Sequence, residues 1–245
     1  MTDSAWTNNE APLKRMAADG ALRRDARDLF VEASRYRYSY NFTWLGRPII
    51  QFPEDVVALQ EIVWCVKPDL IVETGIAHGG SLILWASLLQ LLGGDGQVVG
   101  IDVEIRRANR AEIEGHPLSP RITMIEGSSV DASVVDRVRA LAGTRRRVLV
   151  VLDSNHTHDH VARELDLYAP LVGRGSYLVV MDTVVEEMPA DFFPDRPWGP
   201  GNNPKTAVTA FLKRNDRFEI DREIDAKLLM SVAPGGYLRC VKDPA

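Results

Sequence analysis

Short apolar runs alternate with amphipathic stretches over most of this chain. The apolar runs are rich in Val and Ile, and from residue 69 onward they read DLIVET, QVVGID, ITMIEG, RVLVVLD and SYLVVMD. Such runs without polar alternation are typical of strands buried on both faces of a parallel sheet. Helical spacing between and after them predicts helices at 81–92, 105–114, 132–141, 159–171 and 204–214. This alternation predicts an α/β fold with a doubly wound, mostly parallel sheet.

The C-terminal residues depart from this alternation. Residues 217–224 and 237–242 both have the composition of strands, and Pro234-Gly235-Gly236 between them is a strong turn signal. We therefore expect an antiparallel hairpin, joined by a tight turn, at the edge of the sheet.

The N-terminal residues also differ from the rest. They are polar, rich in Arg and then aromatic, with a helix expected at 22–34 and no strand that fits the later alternation. A helix at 54–66 then leads into the first apolar run. We therefore divide the chain into a helical accessory segment, 1–53, and a main domain, 54–245.

Composition narrows the range of partners. The 245-residue chain has a formal net charge of −5, so its charge does not favour nucleic acid, and a small molecule is the expected ligand. Cys65 and Cys240 lack the spacing of a disulfide framework or a zinc site. The first residues lack a secretory signal, and the longest apolar stretch, 82–92, is too short to span a bilayer. We expect a cytoplasmic protein that does not bind a membrane.

A glycine-rich turn follows the first predicted strand. Residues 73–81 read ETGIAHGGS and lead directly into an apolar helix. In an open α/β sheet, ligands bind beyond the carboxyl ends of the strands, where glycines let a ligand approach the backbone and helix-start amides can meet a carboxylate. The spacing matches neither G-x-G-x-x-G nor G-x-x-x-x-G-K, which argues against a dinucleotide or a nucleoside triphosphate. A ligand of the methionine type fits better.

Polar side chains end the next two strands. Asp102 can accept hydrogen bonds from both hydroxyls of a ribose, and Ser128 lies in a segment, EGSS, placed to line an adenine pocket. An acid at the end of a strand can also simply cap a helix. The three strand ends therefore indicate a cofactor site only when they are taken together. The residues expected to bind a nucleoside-type cofactor are Glu73, Gly75, His78, Gly79, Ser81, Asp102, Ser128 and Asp153.

Several segments resemble those of a known family. VETGIAHGGS, GIDVE and IEGSS are similar to class I S-adenosylmethionine-dependent methyltransferases. Over residues 40–238 the chain resembles the narrower cephalosporin hydroxylase and rhamnosyl O-methyltransferase family, through LDSNHTHDHV, ELDLYAPLV, GSYLVVMDT and PWGPGNNP. The resemblance implies a Rossmann-like methyltransferase domain, bound S-adenosylmethionine and metal-dependent methylation of a sugar hydroxyl. It also implies subunit contacts by the N-terminal region, so we expect a homo-oligomer, in agreement with the aromatic residues at 36–44.

Asp153 and Asp182 end the fourth and fifth predicted strands. If these strands are neighbours, both carboxylates point into one crevice beside the cofactor. Two carboxylates suit Mg²⁺, which prefers oxygen ligands and retains several waters, and the resemblance implies divalent-metal ligands at these positions. Some relatives carry Glu directly before the second Asp, where this chain has Met181. Weaker metal binding by two carboxylates alone is therefore an alternative. Both acids could instead merely cap loops.

The motif DSNHTHDH, residues 153–160, contains three of the five histidines. A zinc cage is disfavoured because His156, His158 and His160 straddle a loop and a helix start. The acid before His160 fits the first turn of a helix, which makes His160 structural. We assign catalysis to Asp153 and His156, with His156 as the base that takes a proton from the acceptor hydroxyl. His158 is the alternative base or a substrate contact. A purely structural role for His156 is the other interpretation.

A long segment, 183–207, is dense in Pro, Gly and aromatic residues. It is too long for an ordinary connection, so we interpret it as a lid, with a purely structural loop as the alternative. Trp198 could stack on a sugar ring, and Asn202 and Asn203 could hydrogen-bond sugar hydroxyls. Either Glu186 or Glu187 could complete the metal shell or orient the substrate.

Together these patterns predict an S-adenosylmethionine-dependent, Mg²⁺-assisted O-methyltransferase that acts on a deoxysugar or a sugar-bearing natural product such as an antibiotic. Two alternatives stay open. A hydroxylase-type oxidoreductase would need a redox cofactor, and the chain lacks a dinucleotide pattern or a two-His-one-carboxylate spacing. A non-catalytic protein could keep the fold to bind a metabolite or an active partner.

Overall fold

A computed structural model describes residues 9–243 of the chain. Its helices are α1 (Glu10–Ala18), α2 (Gly20–Arg35), α3 (Pro53–Val66), α4 (Gly80–Leu92), α5 (Arg107–Glu114), α6 (Ala132–Ala142), α7 (His158–Tyr168), α8 (Pro204–Arg214) and α9 (Arg222–Lys227). Its strands are β1 (Phe42–Trp44), β2 (Arg47–Ile49), β3 (Leu70–Thr74), β4 (Gln97–Asp102), β5 (Ile122–Glu126), β6 (Val148–Leu152), β7 (Tyr177–Val180), β8 (Phe218–Ile220) and β9 (Tyr237–Cys240). None of the helices in the described part of the chain combines the length and apolar composition needed to cross a lipid bilayer.

Seven strands form one sheet in the order β5-β4-β3-β6-β7-β9-β8. The first five in that order are parallel, and β9 is antiparallel to both β7 and β8. The chain places β4 and β5 on one side of β3, and β6 and β7 on the other, so the strand order reverses between β3 and β6. The predicted doubly wound, mostly parallel sheet is confirmed, and the reversal places a ligand crevice beyond the carboxyl ends of β3 and β6.

Apolar side chains cover both faces of the sheet. On β3, Ile71 belongs to one buried cluster, whereas Leu70 and Val72 belong to the other. Side chains from α3 and α4 pack in the first cluster, and side chains from α6, α7 and α8 pack in the second. Because both faces are covered, every position of the central strand β6, VLVVL, is buried. For this reason the strands can be recognised in the sequence as continuous apolar runs.

The predicted C-terminal antiparallel pair is present, with Ile220 of β8 opposite Leu238 of β9. Its connection differs from the predicted tight turn. Asp221 accepts hydrogen bonds from two backbone N–H groups in the first turn of α9, so the strand predicted over 217–224 ends early and a short helix follows it. The Pro234-Gly235-Gly236 turn lies directly before β9, at the end of this longer connection.

The N-terminal segment packs on the main domain. The helix predicted at 22–34 is confirmed as part of α2, and its Phe30 stacks on Phe52 in the first apolar cluster with ring centroids 4.4 Å apart. A small hairpin of β1 and β2, which the sequence pattern does not predict, follows. The Trp44 indole N–H donates a 3.0 Å hydrogen bond to Ser87 Oγ on α4. The boundary proposed between the two parts stays a prediction.

Candidate functional site

The candidate site lies at the carboxyl ends of the central strands. β3 and β6 pair so that Thr74 lies opposite Leu152, and the glycine-rich turn and the DSNHTHDH motif therefore leave the sheet side by side. The register of β6 and β7 pairs Leu152 with Val180, so the segments that contain Asp153 and Asp182 also leave neighbouring strands in the same direction. Parallel pairing thus brings residues that are distant in sequence to one edge of the sheet.

The glycine-rich turn packs directly against the backbone of the DSNHTHDH motif. Gly75 has a φ of +95°, and a Cβ at this position would lie 2.1 Å from the carbonyl oxygen of Asp153. Gly79 has a φ of +82°, and a Cβ there would lie 2.3 Å from the side chain of Ile113. Both positions need glycine for conformation and for space. A side chain at either position would displace the turn.

Two charged side chains hold this turn in place. The Asp102 carboxylate, at the end of β4, accepts hydrogen bonds from the backbone N–H groups of Ile76 at 2.8 Å and Ala77 at 3.2 Å. The Arg47 guanidinium donates two hydrogen bonds, at 2.8 and 3.1 Å, to the carbonyl oxygen of His78. Asp102 therefore lies beside the turn, where the sequence predicts it, and also fixes the conformation of the turn.

The remaining predicted cofactor contacts differ in exposure. Ser128, in the loop after β5, is partly exposed. Glu73 lies below the turn with 1% of its surface exposed, and the Ser81 hydroxyl donates a 2.8 Å hydrogen bond to its carboxylate. Burial raises the pKa of Glu73 to about 8, although the Ser81 hydrogen bond opposes this shift. Glu73 is therefore mostly uncharged at neutral pH in the folded protein.

This raised pKa predicts a pH dependence of stability. The unfolded chain ionises Glu73 near 4.5 and the folded chain near 8, so the contribution of Glu73 to the free energy of unfolding falls as pH rises between these values. The slope is at most about 1.4 kcal/mol per pH unit. Glu73→Gln stays neutral, so we expect it to gain stability relative to wild type from pH 5 to pH 8 in urea unfolding experiments with chelator present. The exposed Glu104→Gln is the control, and parallel pH profiles for wild type and Glu73→Gln would contradict this prediction.

Asp153, His156 and Asp182 form one cluster in the crevice. One potential ligand atom from each lies within 4.8 Å of the others, and His156 Nδ1 is 3.4 Å from Asp182 Oδ2. Burial, and then the negative charge of Asp182, raise the pKa of Asp153 well above its usual range. A divalent cation between the carboxylates would remove their repulsion. The two carboxylates therefore fit a divalent ion, and the imidazole of His156 lies beside them.

Two neighbours of this cluster bear on the metal site. Met181, at the position where some relatives carry Glu, is 1% exposed and packs in the first apolar cluster, so it offers the crevice no ligand atom. Gln51, which the sequence pattern does not predict, donates a 3.1 Å hydrogen bond from Nε2 to Asp153 Oδ2. An isolated Gln just before the start of α3 gives no local signal, because its partner is 102 residues away.

The other two histidines of the motif make separate contacts. The backbone N–H of His158 donates to Asn202 Oδ1 at 2.9 Å, and its ring Nδ1 lies 2.8 Å from Thr206 Oγ1. His160, on α7, places Nε2 3.0 Å from Ser129 Oγ, consistent with the predicted structural role. Within residues 9–243, His156 is thus the histidine of the motif that joins the two acids.

Glu186 and Asn203 hold the long loop after β7 together. Asn203 has 0% of its surface exposed, and its side chain caps α8 by accepting the backbone N–H of Thr206. Its amide also donates to Glu186, which accepts a second hydrogen bond from the Gly201 N–H at 2.8 Å. The Asn203 amide therefore starts a helix and fixes the loop, and its contact with a sugar stays a prediction.

Trp198 and Asn202 lie on the part of this loop that adjoins the crevice. The Trp198 ring meets His156 edge to face, with centroids 4.8 Å apart and an interplanar angle of 87°. The Arg196 guanidinium lies 5.2 Å from the Trp198 centroid. Asn202 is exposed and joins the loop to the start of α7 through His158. The loop thus touches the acid cluster through Trp198, and its opening and closing stay a prediction.

The strand order, with its glycine-rich turn at the point of reversal, is that of a Rossmann-like, doubly wound α/β fold. The family described as Rhamnosyl O-methyltransferase/CmcI matches residues 36–241. The chain belongs to this family. The resemblance predicted from the sequence is confirmed.

Several known proteins are similar to this chain. A rhamnosyl O-methyltransferase of Mycobacterium bovis is 30% identical over 202 residues, which cover 80% of this chain and 77% of the relative. The apo structure of CmcI has a TM-score of 0.58 at 22% identity, and CmcI with Mg and SAM has a TM-score of 0.55 at 20% identity, each over 82% of this chain and 77% of that chain. The O-methyltransferase TomG from Streptomyces achromogenes, in complex with SAM, has a TM-score of 0.54 at 18% identity over 89% of both chains. At these identities the solved structures show the fold.

Proposed function

We propose that this protein is an S-adenosylmethionine-dependent, divalent-metal-assisted O-methyltransferase that acts on a sugar hydroxyl. The observation that carries the proposal is the convergence of Asp153, His156 and Asp182 beside the glycine-rich turn. The names of its relatives support the same chemistry, since the M. bovis protein is a rhamnosyl O-methyltransferase and one CmcI structure contains Mg and SAM.

The turn fits the methionine and ribose parts of the cofactor. Gly75 keeps the backbone beyond β3 free of a side chain, and the partly exposed residue Asp102 lies beside it at the end of β4. An acid at this strand end is placed to accept ribose hydroxyls. Ser128, partly exposed after β5, extends this surface toward the base.

The acid cluster fits Mg²⁺ because both carboxylates supply oxygen ligands and the three residues of the cluster are only partly buried. Asp153 and Asp182 would hold the ion. When bound, a divalent ion makes a coordinated sugar hydroxyl more acidic and stabilises the negative charge that develops on its oxygen.

The residues around the cluster then position the acceptor and its proton. An acceptor hydroxyl in the crevice would attack the methyl carbon of the sulfonium, so that a C–O bond forms as the C–S bond breaks. The hydroxyl proton passes to Nε2 of His156, because Nδ1 faces Asp182 at 3.4 Å. Trp198, which lies against His156, offers an aromatic face to the sugar ring. His158, Glu186 and Asn202 lie on the adjoining segments and are proposed to shape the substrate side.

We also infer that the protein is a homo-oligomer. In the N-terminal segment, Tyr36 is 82% exposed and Tyr40 is 51% exposed. Exposed aromatic side chains of this kind mark interaction surfaces. Light scattering of the purified protein, which would give a monomer mass if the inference fails, tests this assembly.

Incubation of the purified protein with S-adenosylmethionine, Mg²⁺ and a panel of rhamnose-type acceptors tests the function. The panel includes nucleotide-activated sugars and glycosides of natural products. We expect S-adenosylhomocysteine and a product heavier by one CH₂ by mass spectrometry, with strong loss of product when EDTA is added. The reaction is expected to proceed without oxygen, which distinguishes it from hydroxylation. Tight cofactor binding with no methylated product across the panel would favour a non-catalytic protein.

A further inference from the structure

Gln51 lies between β2 and α3 and is buried, with 6% of its surface exposed. Its Nε2 donates a 3.1 Å hydrogen bond to Asp153 Oδ2, whereas its Oε1 is buried and has no hydrogen-bond partner. Rotating the amide would not solve this, because Oε1 would then face the carboxylate. The side chain is thus oriented by Asp153 and keeps an unused acceptor next to the metal-type cluster.

The segment that carries Gln51 is fixed against the cofactor turn. Arg47 binds the carbonyl oxygen of His78 with two hydrogen bonds. A Cβ at Gly80 would lie 2.2 Å from the carbonyl oxygen of Pro48, so the backbone of this segment and the start of α4 are in direct contact. We call residues 47–52 the strap. The strap ends at Phe52, which is 3% exposed in the first apolar cluster.

A buried acceptor without a donor destabilises the fold and is rare in native proteins. A donor that arrives with a ligand would satisfy it. In this crevice two sources of an N–H or O–H donor are available when ligands bind: the ammonium group of the methyl donor, and a water molecule held by the cation.

We propose that Gln51 is a positioning residue that links the two ligand sites of the crevice. Its Nε2 holds Asp153 in the orientation that binds the cation, and its Oε1 accepts a hydrogen bond from the bound methyl donor or from a cation-held water. The proposal rests on the proposed function, because it assigns ligands to the same crevice. It gives the N-terminal strap a direct part in ligand binding, beyond the packing of the fold.

Calorimetry of the apo protein tests both halves of the proposal. Mg²⁺ is titrated alone, and S-adenosylhomocysteine is titrated separately in EDTA. Gln51→Met removes both polar atoms at nearly constant volume, and Gln60→Met makes the same change two turns into α3. We expect Gln51→Met to weaken Mg²⁺ binding by about 10- to 100-fold, as found for residues that orient metal ligands. Gln60→Met is expected to bind both ligands like wild type.

The cofactor titration identifies the donor. If the ammonium group donates to Oε1, Gln51→Met weakens S-adenosylhomocysteine about tenfold but leaves 5′-methylthioadenosine, which lacks the amino-acid part, unchanged. If a cation-held water donates, both nucleosides bind Gln51→Met like wild type in EDTA.

An unchanged Mg²⁺ affinity in folded Gln51→Met would overturn the proposal, whereas failure of the wild type to bind Mg²⁺ and S-adenosylhomocysteine would overturn the proposed function instead. Thermal unfolding of each variant checks its fold. Should Gln51→Met not fold, Gln51→Asn replaces it. This variant keeps the amide but shortens its reach by one methylene, and the same losses are expected.

Discussion

Replacing Asp153 with Asn is expected to lower the rate of methyl transfer by about 100- to 1,000-fold. The reason is that a carboxylate ligand of a catalytic cation contributes several kcal/mol to the stabilisation of the transition state. Asp153 is the acid on which three parts of the structure converge: its carboxylate faces Asp182, accepts Gln51 Nε2, and lies one residue beyond β6. The measurement is the initial rate of S-adenosylhomocysteine formation with saturating donor and Mg²⁺, together with the Mg²⁺ affinity by calorimetry.

The same substitution is expected to leave the fold intact or to stabilise it. Burial and the charge of Asp182 raise the pKa of Asp153, so the ionised carboxylate opposes folding above its unfolded pKa when no cation is bound. Asn removes that charge and can still accept a hydrogen bond from Gln51. We expect the free energy of unfolding in EDTA at pH 8 to be at least that of wild type, which separates lost chemistry from lost structure.

Asp159→Asn is the matched control for this variant. Asp159 belongs to the same motif but lies exposed in the first turn of α7. Its loss removes only a favourable interaction with the helix dipole, worth at most about 1 kcal/mol of stability, and not a ligand. An Asp153→Asn protein that keeps its rate within threefold of wild type would exclude a catalytic metal site at these acids.

The convergence of Asp153 and Asp182 could be predicted because it depends on local signals. Each acid follows a continuous apolar run typical of a buried parallel strand, and strands that follow one another in sequence are often neighbours in a sheet. In the structure β6 and β7 are such neighbours, and they pair in parallel with Leu152 opposite Val180. The glycine-rich turn is also recognisable from composition. Gly75 and Gly79 adopt positive φ, which favours glycine, so a turn of this conformation is marked by glycines in the sequence.

The roles of polar residues are harder to predict, because a polar side chain can serve either a ligand or the backbone. Asn203 precedes a proline at the first position of α8, a pattern typical of a helix start, and this signal competes with the sugar-binding interpretation. Asp221 likewise begins α9 inside a segment that reads as a strand. The helix caps Asn203 and Asp221 have a recognisable sequence pattern. The contact of Gln51 with Asp153 depends on the tertiary position of the strap and has no local sequence signal.

The position of His156 gives the second large expected effect. Nδ1 faces Asp182, and the ring packs edge to face with Trp198, so two neighbours fix the orientation of the imidazole and leave Nε2 for a proton. A positioned general base contributes typically about 10²- to 10⁴-fold to a rate. We therefore expect His156→Gln to lower kcat by about that factor while the KM for S-adenosylmethionine and the Mg²⁺ affinity stay within about threefold of wild type.

His158→Gln is the comparison that decides which histidine is the base. His158 is tied to Thr206 through Nδ1 and to Asn202 through its backbone, and it lies outside the acid cluster. We expect its loss to lower kcat less than tenfold. The main effect is expected on the KM for the sugar acceptor, because His158 supports the loop that carries Trp198. The reverse order of effects would assign the proton to His158. A His156→Gln protein that loses Mg²⁺ affinity in parallel with kcat would instead make His156 a ligand of the cation, and the acceptor proton would then have to leave through another group.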